Sequence, residues 1–419
     1  VEDPRISVIG LGKLGTPMAV AMAARGYTVI GTDKNPQTVA AFKGGWLPRS
    51  PKEEPGLAEA LAAANGRLAV TDSTADAVAN TDVTFIIVPT PSGDDGTFVN
   101  DYVLAACCGV AQGMARKDAW HLVVLTSTVM PGSAPLIIQA LEQTGLKQGE
   151  HFGYCYSPLF IALGNVLNGF LQPDMILVGA ASPLAGAELS ELYRGICKDC
   201  PPIVLTDPLT AEFAKLLLNS FLTTKITFAN YIGWIAHETG AKAADITRLI
   251  GLDSRVSPKF FSHGPPFGGP CFPRDNVALA AYLGEHDLSN CFPLCVDDLN
   301  FEGAMRLANV VEEHSGRDGT VAILGMSYKT GSPVMNDSPS LIVQEFLDVR
   351  GINVVTTDPW LDGPSPEEAI QGADVVLVMH RDERYTRLPF EPGQVIVDPW
   401  NQFEYQPPGT HLVKIGGGP

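Results

Sequence analysis

The sequence predicts an α/β protein with an N-terminal Rossmann dinucleotide domain, a central α-helical segment built on one long connecting helix, and a C-terminal Rossmann-like domain. Three observations predict it. A short apolar run ends in Gly10-Leu11-Gly12-Lys13-Leu14-Gly15 and passes into an Ala-rich helical pattern. A helical stretch of unusual length begins at Asp207 and ends near Gly240. From Thr320 onward, short apolar runs again alternate with helical segments. The expected domains are residues 1–206, 207–315 and 316–419.

Composition limits the function classes. A chain of 419 residues, 45% apolar and 18% charged, is long enough for two or three domains, each with its own core. No apolar run reaches membrane-spanning length, and the opening Val1-Glu2-Asp3-Pro4 lacks a secretory pattern, so a cytoplasmic location is the expectation. A net charge of −18 argues against nucleic acid as a partner. Eight cysteines at irregular spacings read as reduced thiols rather than a disulfide framework. Cys197-Lys-Asp-Cys200 lies too far from Cys291 and Cys295 for a paired zinc knuckle, and no metal is expected.

The first strand, Arg5 to Ile9, feeds the glycine turn. A second, Tyr27 to Thr32, ends at Asp33, eighteen residues after Gly15. Glycines there permit a tight turn and close approach of a pyrophosphate to the helix N-terminus, with the backbone of Lys13 and Leu14 beside it, and an acid at the second strand's end can accept both ribose hydroxyls. That acid favours NAD over NADP, although Lys34 beside it weakens the preference. Val83 to Val88 is a buried strand ending in Pro89-Thr90-Pro91, and His121 to Leu125 one ending in Thr126-Ser127-Thr128-Val129-Met130-Pro131-Gly132. Parallel strands present their C-termini to the ligand, which puts Pro89, Thr90, Ser127 and Thr128 toward the nicotinamide half of the cofactor. Ser127 and Thr128 could equally cap the following helix. Ile176 to Val178 and Ile203 to Leu205 extend the alternation.

In the long helix, Phe213, Leu217, Phe221, Phe228, Ile232 and Ile235 recur at helical spacing as one apolar stripe, while Lys215 and Asn219 share a face one turn apart. The segment Gly264 to Asp275 is so rich in Gly and Pro that it must be a tight loop around Cys271. It either turns over a buried thiol or presents one in a cleft. His263 could suggest a Cys-His hydrolase, but such an enzyme needs no dinucleotide fold. Beyond Thr320, strands are expected at 321–324, 351–358, 373–379 and 394–398, Ser338-Pro339 should start a helix, and the Gly-Gly-Gly-Pro end should fray.

These motifs together resemble the UDP-glucose/GDP-mannose dehydrogenase family along essentially the whole chain. The resemblance is carried by the glycine turn, Glu54-Pro-Gly-Leu57, Val88-Pro-Thr-Pro91, Ser127-Thr-Val with Pro131-Gly132, and Ala211-Glu-Phe-Ala-Lys215 with Asn219. It continues through Arg255, Lys259-Phe260, Phe267-Gly268-Gly-Pro-Cys271-Phe-Pro-Arg-Asp275, Leu324-Gly with Tyr328-Lys329, and Ser338-Pro339. It implies an NAD domain, a dimerising helical centre and a nucleotide-sugar domain, with a UDP-sugar as the expected substrate. It also implies four-electron oxidation of the sugar's terminal hydroxymethyl group to a carboxylate. By that resemblance Cys271 is the nucleophile, Lys215 and Asn219 stabilise an oxyanion, and Asp275 with Thr128 manages water. Arg255, reaching into the neighbouring subunit of a homodimer, and Lys259, Phe260, Phe267, Gly268, Tyr328 and Lys329 would contact the substrate.

Two positions depart from the family pattern. A glutamate assigned to thioester hydrolysis is replaced by Leu159 in Ser157-Pro-Leu-Phe160, and an arginine before Ser338-Pro339 is replaced by Asn336. Leucine can neither move a proton nor hold water. Three readings therefore stand: a complete 6-dehydrogenase releasing two NADH per sugar, an enzyme that stops at the aldehyde or retains NAD for epimerisation, and a binding homologue without turnover. The phrase Val378-Met-His380 leans toward the family's N-acetyl-sugar branch, although a histidine at a strand end explains it as well.

Overall fold

A computed structural model describes residues 3–45 and 54–418. The chain divides into two compact units, Val1–Leu216 and Leu217–Pro419. The first is organised on an eight-stranded sheet: β1 (Ile6–Ile9), β2 (Val29–Thr32), β3 (Leu68–Thr71), β4 (Val83–Ile86), β5 (His121–Leu125), β6 (Phe152–Tyr156), β7 (Ile176–Ala180) and β8 (Ile203–Thr206). Their order is β3-β2-β1-β4-β5-β6-β7-β8. The first six are mutually parallel in the doubly wound order of dinucleotide folds, and an antiparallel β6–β7 step attaches the last two. Strand residues alternate between two cores. Ile6, Val8, Phe85 and Val124 face one layer of helices, and Ile9, Ile86, Val123 and Leu125 face the other, which is why these strands read as mostly apolar runs, with Ser7 and Thr84 bonded to each other at 2.6 Å.

The helix Pro208–Thr239 runs for 32 residues from the first unit into the second. Its expected single stripe is in fact two faces. Ile232 packs inward with Ala229 and Ala236, whereas Leu217, Phe221, Phe228 and Ile235, with Tyr231, are 45–59% exposed. Periodicity marks apolar positions on a helix but not which of them the same chain covers.

The second unit holds the helices Ala243–Gly251, Phe272–Glu285 and Cys291–Ser315 and a five-stranded parallel sheet. Its strands are β9 (Thr320–Leu324), β10 (Asn353–Thr357), β11 (Val375–Val378), β12 (Val395–Asp398) and β13 (His411–Lys414), in the order β10-β9-β11-β12-β13. Helix Cys291–Ser315 lays Ala304, Leu307, Ala308 and Val311 on this sheet. The glycine-rich end does not fray as far as Gly418. Ala243 N–H donates to Gly416 O at 2.9 Å, and a Cβ on Gly416 would meet Gly233 O at 2.6 Å. Small residues were needed there because that end is packed on the helices. Among the described residues, no helix is long and apolar enough to cross a membrane.

Candidate active site

The glycine turn is built for a close ligand. Gly10 adopts φ +97° and donates its N–H to Thr32 O at 2.8 Å, which ties the end of β1 to β2. A side chain on Gly10 would strike Ile87 O and one on Gly15 would strike Gly10 O, while nothing lies within 4 Å of the Cβ direction at Gly12. The turn is thus packed from below and open above, and Lys13 is exposed beside it. Asp33 accepts Leu11 N–H at 2.7 Å and Asn35 N–H at 2.8 Å, so its carboxylate is fixed where β2 ends. Lys34 turns away to sit 3.7 Å over the Tyr102 ring. These residues fit a dinucleotide with free ribose hydroxyls.

The loops after β4 and β5 are clipped together. Ser127 Oγ accepts Val88 N–H at 2.9 Å and donates to Val88 O at 2.7 Å, and Thr90 Oγ1 donates to Thr128 O at 2.7 Å. Neither Ser127 nor Thr128 caps the next helix, Ala134–Leu141, whose N-cap is Ser133. The helix end is instead served by Glu212 of the long helix. This fully buried carboxylate accepts Gly132 N–H at 2.7 Å and Ala134 N–H at 3.0 Å. Burial pushes its pKa up to about 7 against the opposing pull of those N–H groups. One turn further on, Lys215 is also buried and donates to Leu159 O at 2.9 Å, with its ammonium 5.0 Å over Phe160. The Leu159 segment thus has a backbone hold on the lysine, while the Leu159 side chain packs against the core.

In the second unit, Cys271 is the N-cap of helix Phe272–Glu285, and it is exposed. Glycines and prolines bring the loop to a helix start, where aligned N–H groups favour a thiolate and the oxyanion of its adducts. Asp275 N–H closes the first turn on Cys271 O at 2.8 Å. The Asp275 carboxylate is buried, accepts Asn219 Nδ2–H at 2.6 Å and lies 3.7 Å from Arg274. Asn276, fully buried next to it, accepts Thr223 Oγ1–H at 3.2 Å and donates to Asp297 at 2.8 Å, and burial pushes the Asp297 pKa up to about 6. The expected pair Lys215 and Asn219 is therefore on one face of the long helix, with Asn219 aimed at Asp275.

The loop itself is pinned at several points. Asn300 grips Phe267 from both sides, accepting its N–H at 2.8 Å and donating to its O at 2.9 Å. A Cβ on Gly268 would strike Asp337 O, and one on Gly269, at φ +94°, would enter the Tyr328 ring. Asn336, at the departed arginine position, accepts Gly269 N–H at 3.1 Å through its backbone. Tyr328 is held by burial at a pKa of about 12, and Lys329 lies 5.6 Å over its ring. Arg255 makes a two-point pair with Asp253 at 2.9 and 2.7 Å and is otherwise exposed. Lys259 and Phe260 continue that loop, with Phe260 exposed at φ +57°.

The C-terminal sheet carries its own version of the N-terminal turn. Gly325, at φ +98°, donates to Thr357 O at 2.8 Å, and Asp358 accepts Met326 N–H and Ser327 N–H at 2.9 Å. Here the Ser327 hydroxyl also donates to Asp358, at 2.8 Å, and His380 lies 2.7 Å from Ser327 O. Burial lowers the His380 pKa against the opposing pull of Ser327 O and Asp358. Sequence reading missed Glu212, Asn300 and Asp358. Only Glu212 stood in a motif, the one that contains Lys215.

Three family models match the chain in order. Residues 4–197 match the NAD binding domain of the UDP-glucose/GDP-mannose dehydrogenase family, residues 209–301 its central domain, and residues 322–405 its UDP binding domain. A UDP-glucose 6-dehydrogenase of Haloferax volcanii is 33% identical over 360 residues, covering 84% of this chain and 83% of the relative. One of Rhizobium meliloti is 32% identical over 408 residues, covering 95% and 90%. The structure of a UDP-glucose dehydrogenase from Pyrobaculum islandicum superposes with a TM-score of 0.90 at 31% identity, over 99% of this chain and 98% of that one. That of a UDP-D-ManNAc dehydrogenase from Pyrococcus horikoshii does so at 0.86 and 26%, over 99% of each. The chain belongs to the UDP-glucose/GDP-mannose dehydrogenase family and is an NAD-dependent oxidoreductase acting on CH–OH groups.

Proposed function

We propose that the protein is a nucleotide-sugar 6-dehydrogenase that oxidises the hydroxymethyl group of a UDP-sugar to a carboxylate through covalent intermediates on Cys271. The observation that carries this reading is Cys271 at a helix N-terminus, with Asp275 one turn away and held by Asn219. Two NAD molecules in sequence accept the two hydrides, so the balance is R–CH2OH, water and two NAD+ giving R–COO−, two NADH and three protons. The aldehyde formed first has no second carbinol hydrogen to give. Addition of the Cys271 thiolate to its carbonyl carbon creates one, as a thiohemiacetal, and the second oxidation leaves a thioester that water cleaves. Lys215 and Asn219 stabilise the oxyanion, Asp275 accepts the proton of the attacking water, and Thr128 holds that water.

Gly10, Gly12, Lys13, Leu14, Gly15, Asp33, Lys34, Pro89, Thr90, Ser127 and Thr128 form the NAD site in this reading. Lys259, Phe260, Phe267, Gly268, Tyr328 and Lys329 take the nucleotide-sugar, with Arg255 supplied by the partner of a homodimer. The match of residues 322–405 to a UDP binding domain supports a UDP-sugar. The exposed apolar face of the long helix supports self-association.

A second reading, oxidation that stops at the aldehyde, is favoured by Leu159, which puts a half-buried apolar side chain against the core at the family's glutamate position. NADH released per mole of UDP-sugar consumed separates the two. Two equivalents from the wild type, and loss of the acid product in Cys271→Ala, are expected. One equivalent or none from the wild type would overturn the four-electron reading.

A further inference from the structure

The loop from Asp253 to Phe261, which carries Arg255, Lys259 and Phe260, belongs to no helix or strand and has only short turns of its own, Val256 N–H to Asp253 O at 2.9 Å and Phe261 N–H to Pro258 O at 3.2 Å. Two of its non-glycine residues, Ser257 at φ +69° and Phe260 at φ +57°, adopt left-handed backbone, a conformation that an unsupported Ser or Phe would leave. Its backbone carbonyls are gathered by an ammonium group of the long helix. Lys225, ten residues past Lys215 on the long helix, donates to Val256 O at 3.2 Å, Ser257 O at 3.1 Å and Lys259 O at 2.6 Å. Its three N–H bonds thus meet three carbonyls. Below them Phe261 lies 5.9 Å from the ammonium and stacks on Phe228 of the same helix. Three carbonyls converging on a point make a cation site, and here the chain fills it with its own side chain.

We propose that Lys225 is a positioning residue that fixes the substrate loop in its strained form and thereby sets the affinity for the nucleotide-sugar. The inference rests on the reading that Lys259 and Phe260 contact the substrate. It places the effect in binding, since the loop's ordering is completed before the substrate arrives and does not have to be repeated for each molecule bound. It also predicts chemical rescue. If the site needs only a compact cation with N–H donors, a free one of the same kind can occupy the space that a truncated side chain leaves.

The test uses the full chain with Lys225→Met, Lys225→Arg and Lys225→Ala. Amide hydrogen exchange without substrate should show lost protection over residues 255–260 in Lys225→Met and little change elsewhere in the second unit. The KM for the nucleotide-sugar should rise ~10-fold, the equivalent of about 1.4 kcal/mol, with kcat and the KM for NAD held. Lys225→Arg should recover most of the affinity, and methylammonium chloride should restore Lys225→Ala where sodium chloride at equal ionic strength does not. Unchanged exchange over 255–260 would overturn the clamp. Lost protection with an unchanged sugar KM, or a matching fall in kcat, would overturn its role in binding. Exchange is read whether or not any sugar is turned over, so a failure of the proposed reaction leaves the clamp separately measurable.

Discussion

Glu212 is the residue whose role depends most on burial. Removing its carboxylate in Glu212→Ala leaves the N–H groups of Gly132 and Ala134 without their acceptor, and unfolding by urea should show a loss of about 1–3 kcal/mol. The pH dependence has a definite sign. A carboxyl with a folded pKa of about 7 binds its proton more tightly than in the unfolded chain, so the stability it contributes is complete in acid and is lost as pH rises through that value. Relative to the wild type, Glu212→Gln should therefore gain stability between about pH 5 and 8. A difference that stays flat across that range would show that Glu212 does not titrate there. Asp33 and Glu212 also show what a sequence displays. The dinucleotide turn requires an acid at a fixed offset from its glycines, so Asp33 was legible. The value of Glu212 and Asn300 lies in backbone groups 78 and 33 positions away, and no local pattern encodes such partners.

The Cys271 loop shows the same contrast between elements. Its glycines and prolines announced a tight turn but not the reason for each. Gly268 and Gly269 are small because Asp337 and Tyr328 press against them, and Cys271 reaches a helix start because Phe272-Pro273 opens one. The strands divide similarly. Strands such as β5 and β11 were plain, whereas β3 is short and partly exposed, β13 carries His411 and Lys414 at its ends, and β6, although fully buried, is interrupted by Gly153. Gly269→Ala should cost stability twice, through the left-handed backbone, worth roughly 1–2 kcal/mol, and through the clash with Tyr328. In a Tyr328→Ala background only the backbone part remains. A double-mutant cycle by urea denaturation should thus give a non-additive pair, and strict additivity would mean that the ring yields without cost.

At the scale of the whole molecule, the long helix carries an apolar face that this chain leaves uncovered. Leu217, Phe221, Phe228, Tyr231 and Ile235 lie exposed at helical spacing on one element, a contiguous apolar row of the kind that marks an interaction surface. A second copy meeting the same face would bury it symmetrically. Arg255, exposed apart from its pair with Asp253, would then be available to a neighbouring site. Complementation tests both ideas together. At UDP-sugar well below the KM of the variant, Arg255→Ala should be nearly inactive for want of binding, and Cys271→Ala inactive in four-electron turnover, when each is assembled alone. Unfolded, mixed in equal amounts and refolded, they should regain roughly a quarter of wild-type activity, because half the dimers are mixed and each mixed dimer has one site with both groups intact. If Arg255 serves its own subunit, every site in the mixture lacks one group and activity stays absent. Phe221→Asp combined with Phe228→Asp should halve the mass seen by sedimentation and abolish the complementation. A doubly substituted chain that sediments like the wild type would place the contact on some other face.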